Sequence, residues 1–169
     1  MVTVPYTLIE TAFGWVGVAG GEAGICAFTL PQTSAAAALA SLQASFPDMP
    51  RHDSAFGDLP QRLRRYFAGE RVAFPDRLDL SSGTPFQRAV WGVVRAIPYG
   101  ERRSYAAVAA QVGRLGAARA VGRAMATNPV PIIIPCHRVI GSDGSLTGFG
   151  GGLEMKRRLL DMEASAVSG

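Results

Sequence analysis

The sequence predicts an α+β fold in which a half built from strands and helices precedes a helical half. Short apolar segments separated by glycine fill the beginning of the chain, as in a meander of strands. Signals for helix starts recur in the second half, beginning at Thr84. Charge separates the halves too: residues 1–82 carry 6 basic and 8 acidic side chains, and residues 83–169 carry 11 and 5. We therefore predict two domains, 1–82 and 83–169.

The composition, 48% hydrophobic and 18% charged, is typical of a globular protein. No apolar run reaches the roughly 18 residues of a membrane span, and no basic segment followed by an apolar core opens the chain. We therefore expect a cytoplasmic protein without a membrane partner. Two distant cysteines predict no disulfide. The basic half favours a polyanionic partner, but arginines on solvated helix faces would give the same count.

The first half should contain three strands and two helices. The predicted strands form an antiparallel meander and are 4–10, 13–19 and 24–30. Ser34 suits the N-cap of an alanine-rich helix that ends near Phe46. A polar loop leads to a second helix over 59–68, and the domain boundary follows within 72–83.

Helix signals in the second half predict a helix-turn-helix. Thr84-Pro-Phe-Gln87 has the form of a capping box, with apolar residues then recurring at helical spacing and Trp91 near the edge of that face. Ser104 suits the N-cap of a second helix, and a third follows over 117–127. Two short helices joined by a glycine-containing turn form this motif.

The second helix of that motif carries mostly alanine and glycine with Arg119 and Arg123. A helix that recognises bases in the major groove usually presents several polar side chains. Small residues instead allow close approach in the minor groove, which is only about 6 Å wide. We therefore expect minor-groove binding with little sequence preference. The alternative is a core helix whose small residues pack against its neighbours.

A glycine-rich loop, 146–152, precedes the last predicted helix, 153–163. It is not a dinucleotide-binding fingerprint, because Leu153 occupies the position of the third glycine. Its bare backbone could still bring N–H groups close to a ligand. In the last helix the leucines are expected to pack inward and Lys156 to lie in solvent.

The segment 128–140 holds one of the two cysteines, Cys136, beside one of the two histidines, His137. Its three prolines exclude helix and favour a rigid, partly buried loop with the thiol in one orientation. The cysteines and histidines lack the spacing of a zinc site, so no metal is expected. A direct protease-like dyad is disfavoured, because adjacent side chains in an extended segment point to opposite sides.

A thiol with an ordinary pKa of about 8.5 is only slightly ionised at neutral pH, so a nucleophilic Cys136 needs activation. His137, Arg138 and local N–H dipoles could together lower that pKa by about two units, or about 2.7 kcal/mol. His137 could also take the proton through a water molecule while a carboxylate orients its ring. The sequence favours a thiolate nucleophile beside a DNA-binding helix, with an inert packed cysteine as the alternative.

Pro135-Cys-His-Arg138 and the upstream Asn128-Pro-Val-Pro131 resemble the active-site signature of the alkylguanine-DNA alkyltransferases, which repair DNA by direct reversal. The similarity covers nearly all of 83–163, and the first 80 residues match only in outline. The resemblance implies an N-terminal ribonuclease H-like domain of sheet and helices. An all-helical, winged-type helix-turn-helix domain carrying the active-site loop would follow it.

The implied activity is a stoichiometric, irreversible transfer to Cys136 of the alkyl group of O6-alkylguanine, and also of O4-alkylthymine, in double-stranded DNA. The protein would bind the minor groove, flip the damaged nucleotide into a pocket and need no cofactor. A monomer is expected, and neighbouring molecules could bind DNA cooperatively.

The resemblance also implies roles for individual residues. His137 and Glu163 match a water-bridged general base and its orienting carboxylate, and Asn128 matches a hinge between recognition helix and active-site loop. Arg119 matches an arginine that fills the space of the flipped base. Tyr105 matches a tyrosine that helps rotate the 3′ phosphate and donates to guanine N3. Further matches to DNA or pocket contacts are Ala118, Ala120, Gly122, Arg123, Met125, Pro131, Val139, Phe149 and Gly150.

Base recognition in the family uses backbone groups: carbonyls at Cys136 and Val139 accept from the base amine, and the N–H at Gly150 donates to O6. Phe149 occupies a position where many members have tyrosine, and Arg123 occupies one where others often have glycine.

Structural alternatives remain for three positions: a helix-end charge for Glu163, a C-cap for Asn128 and a core aromatic for Tyr105. Family members that sense alkyl damage without removing it lack the cysteine, so Cys136 argues against a sensor. A plain helix-turn-helix protein with an inert cysteine is disfavoured by the alanine-rich recognition helix.

Overall fold

A computed structural model describes residues 3–168, and the chain divides into two compact units, Met1–Leu80 and Ser81–Gly169. The first unit contains the predicted antiparallel three-stranded meander. Its strands are β1 (Tyr6–Thr11), β2 (Gly14–Gly21) and β3 (Gly24–Phe28). Val16 and Val18 of the central strand are fully buried, so the sheet has to be covered by other elements.

Two helices pack on this sheet. α1 (Ala35–Gln43) begins after Ser34, whose hydroxyl accepts a hydrogen bond from the N–H of Ala37 at 3.1 Å. Leu42 of α1 lies over Gly17, where a Cβ would come within 2.7 Å of the leucine side chain. The small residue in the strand therefore allows the close approach of α1. α2 (Leu59–Phe67) buries Leu59, Leu63, Tyr66 and Phe67.

Within the described residues, the second unit consists of four helices and one short pair of strands. The elements in order are α3 (Pro85–Arg95), β4 (Arg103–Ser104), α4 (Tyr105–Gln111), α5 (Ala118–Ala126), β5 (Val139–Ile140) and α6 (Leu153–Ser168). The capping box is present as predicted: Thr84 and Gln87 exchange side chain to backbone hydrogen bonds at 3.1 and 2.8 Å. α4 and α5 form the helix-turn-helix.

The pairing of β4 with β5 is an addition to the predicted helices and loops. The two strands are parallel, with Arg103 beside Val139 and Ser104 beside Ile140. Ser104 is also the N-cap of α4. The pairing therefore holds the start of α4, where Tyr105 lies, against the end of the cysteine-containing loop.

Two close contacts hold the helices of the second unit together. Trp91 is 2% exposed, and its Nε1 donates to the carbonyl of Ala124 in α5 at 2.8 Å. α6 continues beyond the predicted end, so that its Val167 reaches Gly100. Gly100 has a φ of +80°, and a Cβ there would lie 2.5 Å from Val167. Only glycine suits this position.

Candidate active site

The active-site loop leads from α5 to Cys136 and is buried along most of its length. The chain turns back on itself, with the N–H of Ile134 donating to the carbonyl of Val130 at 2.9 Å. Within this turn Ile132 has a φ of +76°, a conformation that strains a β-branched residue by about 1–3 kcal/mol. Such strain persists only where the surroundings determine the backbone, so the loop is held in one shape.

Asn128 joins the last turn of α5 to this loop. Its backbone N–H donates to the carbonyl of Met125 at 3.3 Å. Its Oδ1 accepts from the N–H of Val130, and its Nδ2 donates to the carbonyl of Ile134, both at 2.9 Å. The same side chain lies close enough to Cys136 to lower the pKa of its thiol. Asn128 therefore lies between the recognition helix and the thiol and is more than a C-cap.

Cys136 begins a 3₁₀ turn, Cys136–Arg138, and is 8% exposed. Burial raises the pKa of its thiol, and the opposing effects of the Asn128 side chain and of the charge of Lys156 do not overcome it. The expected lowering of this pKa is therefore wrong. A thiol whose pKa is raised in this way can act as a nucleophile only if a base removes its proton.

His137 and Glu163 form a pair that is 0% and 1% exposed, with His137 Nε2 at 2.7 Å from Glu163 Oε2. Burial raises the pKa of Glu163, but hydrogen bonds and charges from His137 and Arg138 outweigh it and bring the pKa far below its ordinary value. Burial lowers the pKa of His137 against the opposing effect of Glu163. A carboxylate only accepts, so Nε2 of the neutral ring carries the hydrogen and Nδ1 holds the lone pair.

Hydrogen bonds from Arg138, His137 and the backbone of Gly100 reach the carboxylate of Glu163. Oε1 accepts from Arg138 Nε at 2.8 Å and from the N–H of Gly100 at 3.2 Å. Oε2 accepts from Arg138 Nη2 at 3.0 Å and from His137. Glu163 is therefore the centre of a buried network and not a solvated helix-end charge.

The prediction that Lys156 lies in solvent is wrong, because the residue is 0% exposed. Its Nζ donates to the carbonyls of Val139 at 2.7 Å and Thr147 at 3.1 Å, and lies 5.8 Å from the centre of the Tyr105 ring. Burial lowers its pKa, while the nearby Cys136 acts in the opposite direction. Helical spacing alone indicates this burial: one face of α6 carries Lys156, Leu159, Leu160 and Glu163.

Tyr105, the first residue of α4, contacts the glycine-rich loop. Its hydroxyl donates to the carbonyl of Thr147 at 3.0 Å, the same carbonyl that accepts from Lys156. Thr147 has no counterpart among the sequence predictions, because its side chain plays no part in this contact. The role that the resemblance implies for Tyr105, donation to a base, would require its hydroxyl to leave this partner.

The recognition helix presents its cations to solvent. Arg119 and Arg123 are exposed, and a Cβ placed at Gly122 between them would meet open space. This face is therefore basic, and it has no side chain at Gly122 to obstruct the approach of a ligand. The other predicted contact positions are half-buried at Ala118, Ala120 and Phe149, buried at Met125, Pro131 and Val139, and exposed at Gly150.

Residues 3–168 bring no group of three or more His, Cys, Asp or Glu side chains together as metal ligands. Across the same residues, no helix has both the length and the apolar character needed to cross a membrane.

Comparison with known proteins identifies relatives for both units. The DNA binding domain of 6-O-methylguanine DNA methyltransferase matches residues 85–165, and its ribonuclease-like domain matches residues 4–80. A Mycobacterium tuberculosis methylated-DNA–protein-cysteine methyltransferase is 55% identical over 111 residues, 66% of this chain and 67% of that protein. The protein of that name from Methanosarcina acetivorans is 38% identical over 161 residues, 95% of this chain and 98% of that protein.

A solved structure extends the similarity to the fold. The crystal structure of Mycobacterium tuberculosis OGT in complex with DNA has a TM-score of 0.82 and 43% identity, covering 96% of this chain and 94% of that one. The two domain matches together span almost the whole sequence. The chain therefore belongs to the 6-O-methylguanine DNA methyltransferase family.

Proposed function

We propose that this protein repairs DNA as a methylated-DNA–protein-cysteine methyltransferase, moving the alkyl group of O6-alkylguanine to Cys136 in one irreversible turnover. The observation that carries the proposal is the buried Cys136 thiol in the same 3₁₀ turn as His137, whose ring is held by Glu163. In such an arrangement the carboxylate orients the base, and the base removes the thiol proton, which makes the sulfur nucleophilic. The names of the relatives support the same activity.

Double-stranded DNA is the partner, bound through its minor groove. The relative solved in complex with DNA supports this partner. The open surface at Gly122 lets α5 approach closely, while the exposed Arg119 and Arg123 meet the negative potential of the phosphates. Flipping the damaged nucleotide costs a few kcal/mol of stacking, and Arg119 fills the space it leaves.

In the transfer step, Cys136 Sγ bonds to the alkyl carbon as the bond from that carbon to O6 breaks. His137 accepts the thiol proton at Nδ1 through a water molecule, and Glu163 stabilises the positive charge that develops on the ring. The electron pair of the broken bond leaves with guanine, which then regains the proton. A thiol and an alkylguanine thus become a thioether and guanine, and the thioether has no route back.

Backbone groups recognise the flipped base. The carbonyls of Cys136 and Val139 accept from its amine, and the N–H of Gly150 donates to O6. Val139 can serve while bound to Lys156, because a carbonyl oxygen has two lone pairs. Tyr105 exchanges the Thr147 carbonyl for guanine N3 and so favours departure of the base. Met125, Pro131 and Phe149 contribute to the pocket walls.

Other features of this proposal rest on the resemblance and on composition and stay predictions. They are activity on O4-alkylthymine, the absence of a cofactor, a cytoplasmic location, a monomeric state and cooperative binding along DNA.

Mass spectrometry of the protein after incubation with duplex DNA containing O6-methylguanine tests the proposal. We expect one methyl group on the peptide that contains Cys136, and none on the peptide that contains Cys26. Cys26→Ser should transfer normally, and Cys136→Ser should bind the duplex without accepting a methyl group. Binding by the wild type without methylation would identify a damage sensor, and equal affinity for damaged and undamaged duplex without methylation would identify a plain helix-turn-helix protein.

A further inference from the structure

Arg138 belongs to no step of the transfer described above, yet its guanidinium contacts both α6 and the segment that follows α3. Nε and Nη2 donate to the two carboxylate oxygens of Glu163 at 2.8 and 3.0 Å, and Nη1 donates to the carbonyl of Ile97 at 2.7 Å. The guanidinium also lies 5.6 Å from the centre of the Tyr99 ring. Its side chain is only 10% exposed, so these contacts are made away from water.

We propose that Arg138 is a positioning residue that neutralises Glu163 and thereby keeps His137 uncharged and able to accept the thiol proton of Cys136. This inference rests on the proposed transfer reaction and deepens it. Arginine is suited to this task, because its charge is permanent and its planar fork matches a carboxylate.

The charges that face the His137–Glu163 pair determine where its proton lies. Glu163 is an anion that is 1% exposed, and Arg138 and His137 both contact it with groups that can neutralise its charge. Without Arg138, the carboxylate would favour a proton on His137, giving an imidazolium ion pair. An imidazolium has no lone pair and cannot act as a base.

Other groups near the pair agree with this assignment. Lys156 on α6 and Arg138 both lower the pKa of His137 after burial, and only Glu163 raises it. Tyr99 and the N–H of Gly100, from the segment after α3, add a ring face and a neutral donor but no charge. Arg138 is thus a permanent cation that binds both oxygens of Glu163.

Variants of Arg138 separate positioning from simple structural support. Arg138→Met removes the charge, so the acidic limb of the pH profile for methyl transfer should move up by about one unit, a tenfold rate loss on that limb. Arg138→Lys keeps the charge without the fork, so its acidic limb should stay close to that of the wild type. Each rate is divided by the fraction of folded protein, which circular dichroism measures. A purely structural role would lower the rate equally at every pH and leave the limb in place.

A measurement on the otherwise intact protein stays informative if these variants fail to fold. The chain has only two histidines, so His52→Gln leaves His137 as the sole source of imidazole ¹⁵N signals. At neutral pH we expect the signature of a neutral ring with its hydrogen on Nε2. An imidazolium signature would overturn the inference. Because this readout uses no DNA, it also distinguishes failure of the inference from failure of the transfer proposal.

Discussion

Replacing Lys156 with methionine should slow alkyl transfer while changing stability little. Methionine keeps an unbranched chain and removes a cation that is 0% exposed. The carbonyl of Val139 loses its 2.7 Å donor, which costs about 1–3 kcal/mol for a buried acceptor. In the other direction, the folded protein no longer buries an ammonium, whose penalty is on the order of several kcal/mol. Because these effects oppose each other, we expect the free energy of unfolding to change by less than about 2 kcal/mol.

The transfer rate has no such compensation. The charge of Lys156 opposes the raised pKa of Cys136, so its removal should raise that pKa further. Each unit of pKa corresponds to about a tenfold change in the ionised fraction, or about 1.4 kcal/mol. The loss of the hydrogen bond to Thr147 also loosens the glycine-rich loop. We expect transfer to be at least about tenfold slower.

Single-turnover methyl transfer from duplex DNA and urea unfolding measure the two quantities. Arg157→Met is the matched control, because it removes the same charge from an exposed neighbouring position of α6. It should leave both the rate and the free energy of unfolding close to wild type. The reasoning is refuted if Lys156→Met transfers within about twofold of the wild type, or if Arg157→Met is equally slow.

Three further predictions test the recognition helix, the buried histidine and the packing of α6. Arg119→Ala should slow repair of duplex DNA far more than methyl transfer from free O6-methylguanine, because a free base needs no extrusion; equal losses would instead assign it to the pocket. His137 takes up a proton below about pH 6.5 in the unfolded chain, but only at lower pH in the folded protein, because burial lowers its pKa. Below about pH 6.5 the free energy of unfolding should therefore fall as the pH falls, by up to about 1.4 kcal/mol per pH unit. In acid urea titrations His137→Gln should lose this slope and the exposed His52→Gln should keep it; an unchanged slope in His137→Gln would contradict the assignment. Urea unfolding should show that Gly100→Ala destabilises the protein by about 1–3 kcal/mol more than Gly144→Ala. Both glycines have a positive φ, but only Gly100 lacks room for a Cβ. Equal losses would show that α6 moves to make room for the Cβ.

Local structure was determined by the sequence, because its causes lie within a few residues. The capping box at Thr84 and the cap at Ser104 are hydrogen bonds between near neighbours, so the starts of α3 and α4 could be predicted. The prolines around Cys136 likewise exclude a regular helix from the loop before it. The family motif then pointed to Asn128, His137 and Glu163 before their contacts were known.

Tertiary structure decided the electrostatics of the site, because desolvation depends on segments distant in sequence. Burial by those segments raises the pKa of Cys136, whereas local charges alone predicted that it would be lowered. Glu163 lies 25 residues from Arg138, and Lys156 lies 17 residues from Val139, so neither pairing could be read from spacing along the chain. The sequence supplied a cysteine and a histidine side by side, and only the fold determined that burial raises the pKa of the thiol.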